Sequence, residues 1–267
     1  MGKRPKRQII LFLVEGKSDR EALKIAISEM YEQINEDIEV FFPVIHDEQK
    51  EKGGDITSSF YKSNGKREWV TPENIEEEIY SQFLCDFFDK EKILPKDVSE
   101  IIQIVDADGA FIPDDKVRTD HKLGRDKSPF YGLEEITCIS EEAIQKRNTQ
   151  KKANLDYLSK LTSIKVKQKT IKYSIYYFSC NLDHFFHHDA NESYRKKINL
   201  ARQFAYDYIG DAEGFVKFIA RDEDAVREGG YDGSWEYIKQ GTNSLHRHTN
   251  FNLLLEKLLK NTRRLDP

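Results

Sequence analysis

Carboxylate side chains follow two apolar runs in this 267-residue sequence. Glu15 comes directly after residues 8–14, and Asp106 and Asp108 come directly after residues 101–105. In open parallel sheets, ligands gather outside the carboxyl ends of the strands, so neighbouring strands would bring these acids together. Clustered carboxylates repel one another unless a cation neutralises them, and oxygen-only ligand sets suit Mg²⁺ or Mn²⁺. The sequence therefore predicts a divalent-cation site.

Strand and helix patterns alternate in the first half of the chain. These predicted elements must position the acids. Short runs rich in Ile, Leu, Val and Phe predict buried strands, and apolar residues three or four apart predict helices. The predicted strands are residues 8–14, 38–45, 101–105 and 173–178. The predicted helices are residues 18–31, a helix opening at Thr71 and Pro72, and residues 140–161, 191–209, 212–220 and 250–261, with loops at 46–70 and 111–132. This order indicates an α/β fold with a mainly parallel sheet flanked by helices, followed by a helical C-terminal extension.

Helix signals support two of these elements. Ser18 and Glu21 have the spacing of a capping box at the start of the first helix. One apolar stripe then follows, made of Ala22, Leu23, Ala26, Ile27 and Met30. Pro72 suits the first turn of the second helix.

Charge is unevenly distributed, although the net charge is only −5. Mild acidity argues against non-specific coating of nucleic acid. Residues 145–172, however, carry nine Lys or Arg and a single acid, Asp156. Such a stretch is either a solvated helix face or a contact with a phosphate backbone. The candidate phosphate contacts are Lys17, Arg147, Lys151 and Lys152.

Composition narrows the class of protein. The longest apolar run has six residues, whereas a membrane span needs about 20, and no secretory signal is recognisable. The three cysteines, Cys85, Cys138 and Cys180, are widely spaced, which argues against a disulfide framework or a cysteine-rich zinc site. We expect a cytoplasmic protein with no membrane segment.

Two segments resemble the signature motifs of the TOPRIM domain, which occurs in topoisomerases, primases and nucleases. They are LFLVEGKSD, residues 11–19, and IIQIVDADGAF, residues 101–111. The resemblance implies a TOPRIM-like, Rossmann-like catalytic domain over residues 1–185, with core motifs in 8–115, and a helical extension over 186–267. It further implies that Glu15 is a general acid/base or metal ligand and that Asp106 and Asp108 hold Mg²⁺. Asp19 would be an additional ligand, and the number of metal ions stays open.

The nuclease branch of this superfamily fits best, because the chain lacks a zinc module and a P-loop. Overcoming-lysogenization-defect nucleases and TOPRIM proteins of abortive-infection systems are the members it resembles. We therefore expect a Mg²⁺- or Mn²⁺-dependent nuclease that hydrolyses DNA or RNA, used in defence against phage or mobile DNA. Its expected partners are nucleic acid and, for control, a partner ATPase or a second copy of the chain.

Two other functions are compatible with the motifs. Residues 105–109, VDADG, also fit the opening motif of haloacid-dehalogenase-like phosphatases, in which Asp106 would be the nucleophile. A non-catalytic nucleic-acid-binding or regulatory module is the second alternative. Asp55, after two glycines, is either a plain turn or a further site residue. His184, His187 and His188 have spacings that zinc could use, although packing is the commoner role of such residues.

Overall fold

The computed structural model describes residues 8–43, 46–47, 50–51, 54–63, 65–125, 128–220 and 229–262. Twelve strands lie in these ranges: β1 (Gln8–Leu13), β2 (Ile38–Phe41), β3 (His46–Asp47), β4 (Lys50–Glu51), β5 (Phe60–Ser63), β6 (Lys66–Trp69), β7 (Val98–Asp106), β8 (Val117–Thr119), β9 (Phe130–Tyr131), β10 (Ile136–Cys138), β11 (Ser163–Val166) and β12 (Lys169–Phe178). The helices in these ranges are α1 (Lys17–Ile34), α2 (Ile75–Ile79), α3 (Cys85–Glu91), α4 (Glu141–Leu158), α5 (Leu182–His187), α6 (Tyr194–Asp207), α7 (Ala212–Ala220), α8 (Gly230–Ile238) and α9 (Asn252–Thr262).

The central sheet has five strands in the order β11-β12-β7-β1-β2. β2, β1, β7 and β12 run parallel, and β11 pairs antiparallel with β12 at one edge. β7 therefore lies in the middle of the sheet, between β1 and β12. The predicted α/β fold with a mainly parallel sheet is confirmed.

Helices cover both faces of this sheet. Alternate residues of a strand point to opposite faces, so Ile10 and Phe12 of β1 pack with α1, α6, α7 and α9. Ile9 and Leu11 of the same strand pack on the other face with α2, α3, α4 and α8. The C-terminal helices thus complete the core on both faces, and residue 185, the expected domain boundary, lies inside α5.

Most predicted elements are present. The stripe of α1 is buried as expected, and α7 has the predicted bounds. Ser140 caps α4 by accepting a hydrogen bond from the backbone N–H of Ala143, 3.3 Å away. No helix in the described ranges combines the length and apolar character needed to cross a bilayer.

Local details differ from the predictions. Gly16, rather than Ser18, caps α1, because the backbone N–H of Gly16 donates to Oδ2 of Asp19 at 2.7 Å. The second helix starts at Ile75, not at Thr71, since the Asn74 side chain accepts the Thr71 N–H and closes a turn before it. That helix continues from α2 through a π-helical segment, Tyr80–Leu84, into α3.

The two predicted loops contain secondary structure. β5 and β6 form a hairpin within residues 46–70. A separate three-stranded sheet, in the order β8-β10-β9, lies at residues 117–138. The short or polar strands of these elements lack the apolar alternation that predicts a strand, and α5, α8 and β11 were likewise not predicted.

Candidate functional site

The carboxylates of the two motifs meet at the carboxyl edge of the sheet. Glu15 follows β1, and Asp106 is the last residue of β7, the strand beside it. The backbone N–H of Asp106 donates a hydrogen bond to Oε1 of Glu15 at 3.1 Å. The prediction that parallel strands bring these acids together is confirmed.

The turn after β7 is fixed by the end of β12. The N–H of Ala107 donates to the Phe178 carbonyl, and the N–H of Asp108 donates to the Cys180 carbonyl, each at 2.8 Å. Asp108 and Gly109 both have positive φ, at 50° and 64°. Asp tolerates this left-handed region better than most residues and Gly adopts it freely. The turn thereby aims the Asp108 side chain back over the strand ends.

Glu15, Asp55 and Asp108 form one cluster, which we call the lysine-bound cluster. One carboxylate oxygen from each lies within 4.8 Å of the others. The Lys151 ammonium lies among them: Nζ is 2.6 Å from Asp108 Oδ2, 2.9 Å from Asp55 Oδ2 and 3.6 Å from Glu15 Oε1. Lys151 is fully buried, whereas the three acids are partly buried.

Asp55 reaches this cluster from the segment between β2 and β5. Its Oδ1 accepts hydrogen bonds from the backbone N–H and the hydroxyl of Thr57, and its Oδ2 accepts one from the Ser58 hydroxyl. The N–H of Gly54 donates to the Glu15 carbonyl at 2.6 Å. Of the two interpretations of Asp55, the structure places it in the site.

Helix α4 supplies the positive charges. Arg147 lies one turn before Lys151 and donates to the Asp108 carbonyl at 2.9 Å and to the Tyr131 hydroxyl at 3.0 Å. Tyr131, from β9, in turn donates to Asp108 Oδ1 at 3.0 Å. Both carboxylate oxygens of Asp108 are therefore engaged, one by Tyr131 and one by Lys151.

A second charged group lies on the other side of Asp106. Asp183, at the start of α5, pairs with Lys197 of α6 at 2.8 Å. Asp106 Oδ1 accepts the Leu182 N–H at 2.9 Å. Asp183 Oδ1 is buried, and no donor among the described residues reaches it. Asp19 lies near this group. Both of its carboxylate oxygens accept local hydrogen bonds, one from the Gly16 N–H and one from the Ser18 hydroxyl.

Two adjoining cavities open onto the carboxylates. The smaller, of about 280 Å³, is lined by Glu15, Gly16, Lys17, Ser18, Asp19, Asp55, Asp106, Asp183, Tyr194 and Lys197. The larger, of about 680 Å³, is lined mainly by residues 128–131 and 189–194, together with Asp106, Asp108, Asn181 and Lys197. Asp106 lines both cavities. Each is large enough to admit hydrated ions or parts of a substrate.

Burial and mutual repulsion shift the pKa values of these acids in different directions. Burial, followed by repulsion from Asp55, raises the pKa of Glu15 well above its ordinary value. Burial and repulsion from Asp19 do the same to the pKa of Asp106. Burial also opposes ionisation of Asp108, but Lys151 and Arg147 outweigh it and lower the pKa of Asp108. The ion pairs of Lys151 likewise outweigh its burial and raise its pKa well above the ordinary value.

The predicted phosphate contacts lie in different environments. Lys17 lines the smaller cavity. Lys151 and Arg147 instead point into the site and bind protein groups, so the expected surface role of these two is corrected. Lys152 is half-buried next to Lys151, outside the lining of both cavities.

The basic stretch at 145–172 is not one surface. Lys146 pairs with Glu142 on α4, and Lys172 pairs with Glu100. Exposed lysines lie around the turn between β11 and β12 (Lys165, Lys167 and Lys169). β12 enters the sheet there and reaches the carboxylates only at its other end, about 30 Å away for a ten-residue strand. A single phosphate cannot contact both places.

The histidines of the α5 region are not gathered into a metal site. In the part of the chain that the structure describes, the lysine-bound cluster is the one group of three or more acids, histidines and cysteines close enough to share an ion. His184 and His187 lie on α5, and burial lowers the pKa of each.

Three site residues escaped the sequence analysis in their actual roles. Asp183 comes five residues after the predicted strand 173–178, beside the histidines considered for zinc, and Lys197 is distant from both motifs. The basic stretch predicts a surface position for Lys151, although Asn148, Leu155 and Leu158 share its buried face of α4. That spacing of three and four residues was the signal that would have placed Lys151 inside.

Comparisons of the chain with protein-family models, curated proteins and solved structures found no match.

Proposed function

We propose that this chain is a divalent-cation-dependent nuclease of TOPRIM-like type. The observation that carries the proposal is the meeting of Glu15 and Asp106 at the smaller cavity, with Asp106 and Asp108 also lining the larger one. The motif resemblance adds the expectation of phosphodiester hydrolysis, and it alone carries the expected role in defence against mobile DNA.

The donor set fits Mg²⁺ or Mn²⁺. Mg²⁺ usually keeps several waters and binds through one or two carboxylates. Among the described residues, no donor is bonded to Glu15 Oε2 or Asp106 Oδ2, and both side chains line the smaller cavity. We assign these two carboxylates as the ligands. Asp108 and Asp19, also expected as ligands, have their oxygens engaged by protein donors, so we give them positioning roles.

Glu15 and Lys17 would act on the substrate together with the bound ion. A bound divalent ion would supply positive charge for the attacking and leaving oxygens of a phosphodiester. Glu15, which lines the smaller cavity, would also relay a proton from the attacking water in that step. Lys17, beside the same cavity, suits a contact with a phosphate next to the scissile one.

The direct test is hydrolysis of plasmid DNA, single-stranded DNA and total tRNA in Mg²⁺, Mn²⁺ or EDTA. We expect metal-dependent cleavage that Asp106→Asn abolishes and that Asp114→Asn, at an exposed aspartate, leaves intact. The substrate that is cleaved identifies DNA or RNA as the target. Absence of cleavage from all three by folded wild-type protein would contradict the proposal.

A further experiment distinguishes the proposed nuclease from the phosphatase alternative. A phosphomonoester is offered under the same conditions, and Asp106 is examined for a trapped phosphoryl group. Monoester turnover without nucleic-acid cleavage would favour an Asp106 nucleophile. Metal and nucleic-acid binding without any turnover would favour the non-catalytic module.

A further inference from the structure

The lysine-bound cluster has the spacing of a cation site, but its centre already contains a cation. Lys151 Nζ lies within 3.6 Å of an oxygen of each acid, and the lysine is fully buried. Asp55 and Asp108 also accept hydrogen bonds from Thr57, Ser58 and Tyr131. An added metal ion would have to compete with the ammonium at close range and displace several of these donors.

Lys151 is held there by the packing of α4. Three residues further along the helix, Asn154 is completely buried and donates to the carbonyls of Thr57 and Val70, both at 2.8 Å. These bonds tie the helix to the segment that carries Asp55. Leu155 and Leu158 lie in the core on the same face of α4. The anchored helix thus holds the base of the Lys151 side chain beside the cluster, where its ammonium is completely buried.

We propose that Lys151 is the permanent cation of the lysine-bound cluster, so that the site takes one divalent ion, at Glu15 and Asp106, instead of two. This inference deepens the proposed function and rests on it for the location of the single ion. Lys151 is a positioning residue: it neutralises Asp55 and Asp108 and fixes one side of Glu15. Its assignment as a contact for nucleic acid is replaced by this role.

The stoichiometry of Mn²⁺ tests the proposal without any activity assay. Mn²⁺ is titrated into the full chain, in the absence of nucleic acid, by electron paramagnetic resonance and calorimetry. We expect one ion for the wild type and two for Lys151→Met, because removal of the ammonium leaves three acids in cation-binding geometry. Lys152→Met, at the next residue, is the matched control and should bind as the wild type does. An unchanged stoichiometry in folded Lys151→Met overturns the proposal.

A second measurement does not depend on the folding of that variant. In the wild-type background, Asp55→Asn should leave Mn²⁺ affinity within about twofold, whereas Asp106→Asn should lower it by about tenfold or more. Equal losses in both variants would show that the lysine-bound cluster takes part in metal binding, and would overturn the inference.

The two proposals fail in distinguishable ways. A wild-type chain that binds no Mn²⁺ contradicts the metal-dependent nuclease. In that case a gain of one ion in Lys151→Met still supports Lys151 as the resident cation. A nuclease with two Mn²⁺ ions in the wild type would sustain the proposed function and refute the role of Lys151.

Discussion

The backbone N–H of Asp106 donates to Oε1 of Glu15 across 3.1 Å, and so joins residues 91 positions apart. This bond links the ends of two adjacent parallel strands directly. Glu15 also lines the smaller cavity. The main chain of the second motif therefore orients the first acid, together with Lys151, whose Nζ lies 3.6 Å from the same oxygen.

The raised pKa of Glu15 predicts a pH-dependent cost to stability. A carboxyl group whose folded pKa exceeds its unfolded pKa destabilises the fold once the pH rises above the unfolded value, and the cost is complete above the folded value. In EDTA at pH 7.5, Glu15→Gln should therefore raise Tm by about 2 °C, equivalent to about 1 kcal/mol. The gain should vanish near pH 4.

Calorimetry of Glu15→Gln, with Glu32→Gln as an exposed control, checks this expectation. Glu32 lies on the solvent side of α1, so its variant should melt with the wild type. A Glu15→Gln variant that is less stable at pH 7.5, or equally stabilised at pH 4, would contradict the assigned cause. Mg²⁺ should stabilise the wild type more than Glu15→Gln.

Gly109 is constrained both by its φ angle and by its neighbours. A Cβ added there would lie 2.4 Å from Leu245 Cδ2 and 3.2 Å from Ile136 Cδ1. We expect Gly109→Ala to lower the free energy of unfolding by about 2 to 4 kcal/mol, measured by urea denaturation. Gly210→Ala, with φ of 73° and open space around the Cβ, should cost only about 1 kcal/mol.

Leu245→Ala provides a second control for this turn. In its background the added methyl group has room, so Gly109→Ala should cost less than in the wild type. Additive effects of the two substitutions would mean that backbone conformation alone accounts for the loss.

Asn154 should be more important for stability than an ordinary asparagine. Its side-chain amide satisfies two buried carbonyls, those of Thr57 and Val70. Asn154→Ala leaves both without a donor, for an expected loss of about 2 to 4 kcal/mol in urea denaturation. Asn243→Ala, which removes a single bond to the Tyr237 carbonyl, should cost about 1 kcal/mol. Similar losses in the two variants would argue against the anchoring role of Asn154.

Lys17 is the predicted phosphate contact that remains beside the cavities. If it contacts a phosphate, Lys17→Ala should weaken binding to all nucleic-acid sequences and reduce the slope of log K against log salt by about 1. Lys172→Ala serves as control, because that lysine pairs with Glu100 near the far end of β12. The affinity and the salt slope of each variant are measured by fluorescence anisotropy in EDTA. The salt concentration is varied from about 50 to 200 mM, the range over which such slopes are resolved. An unchanged slope in Lys17→Ala would remove Lys17 from the interface.

The strands and the motif acids were predictable because both follow simple rules. β1 and β7 are apolar enough to be buried on two faces, and parallel strands place their following residues at one edge. Asp55 and Lys151 depend instead on tertiary packing. The segment before Asp55 has no periodic pattern, and α4 is so polar that its buried face, including Asn148, was obscured by surrounding charge.

The hydrogen bonds between the end of β12 and residues 248–250 have a consequence for synthesis. The Ser179 N–H donates to the His248 carbonyl, and the Tyr177 N–H donates to Asn250, so the end of β12 is completed by chain that comes much later. Roughly 140 residues separate Asp108 from Asn250, which takes a ribosome about 7 to 28 s at 5–20 residues per second. A nascent chain therefore exposes Asp106 and Asp108 well before the residues that complete the end of β12 have been synthesised.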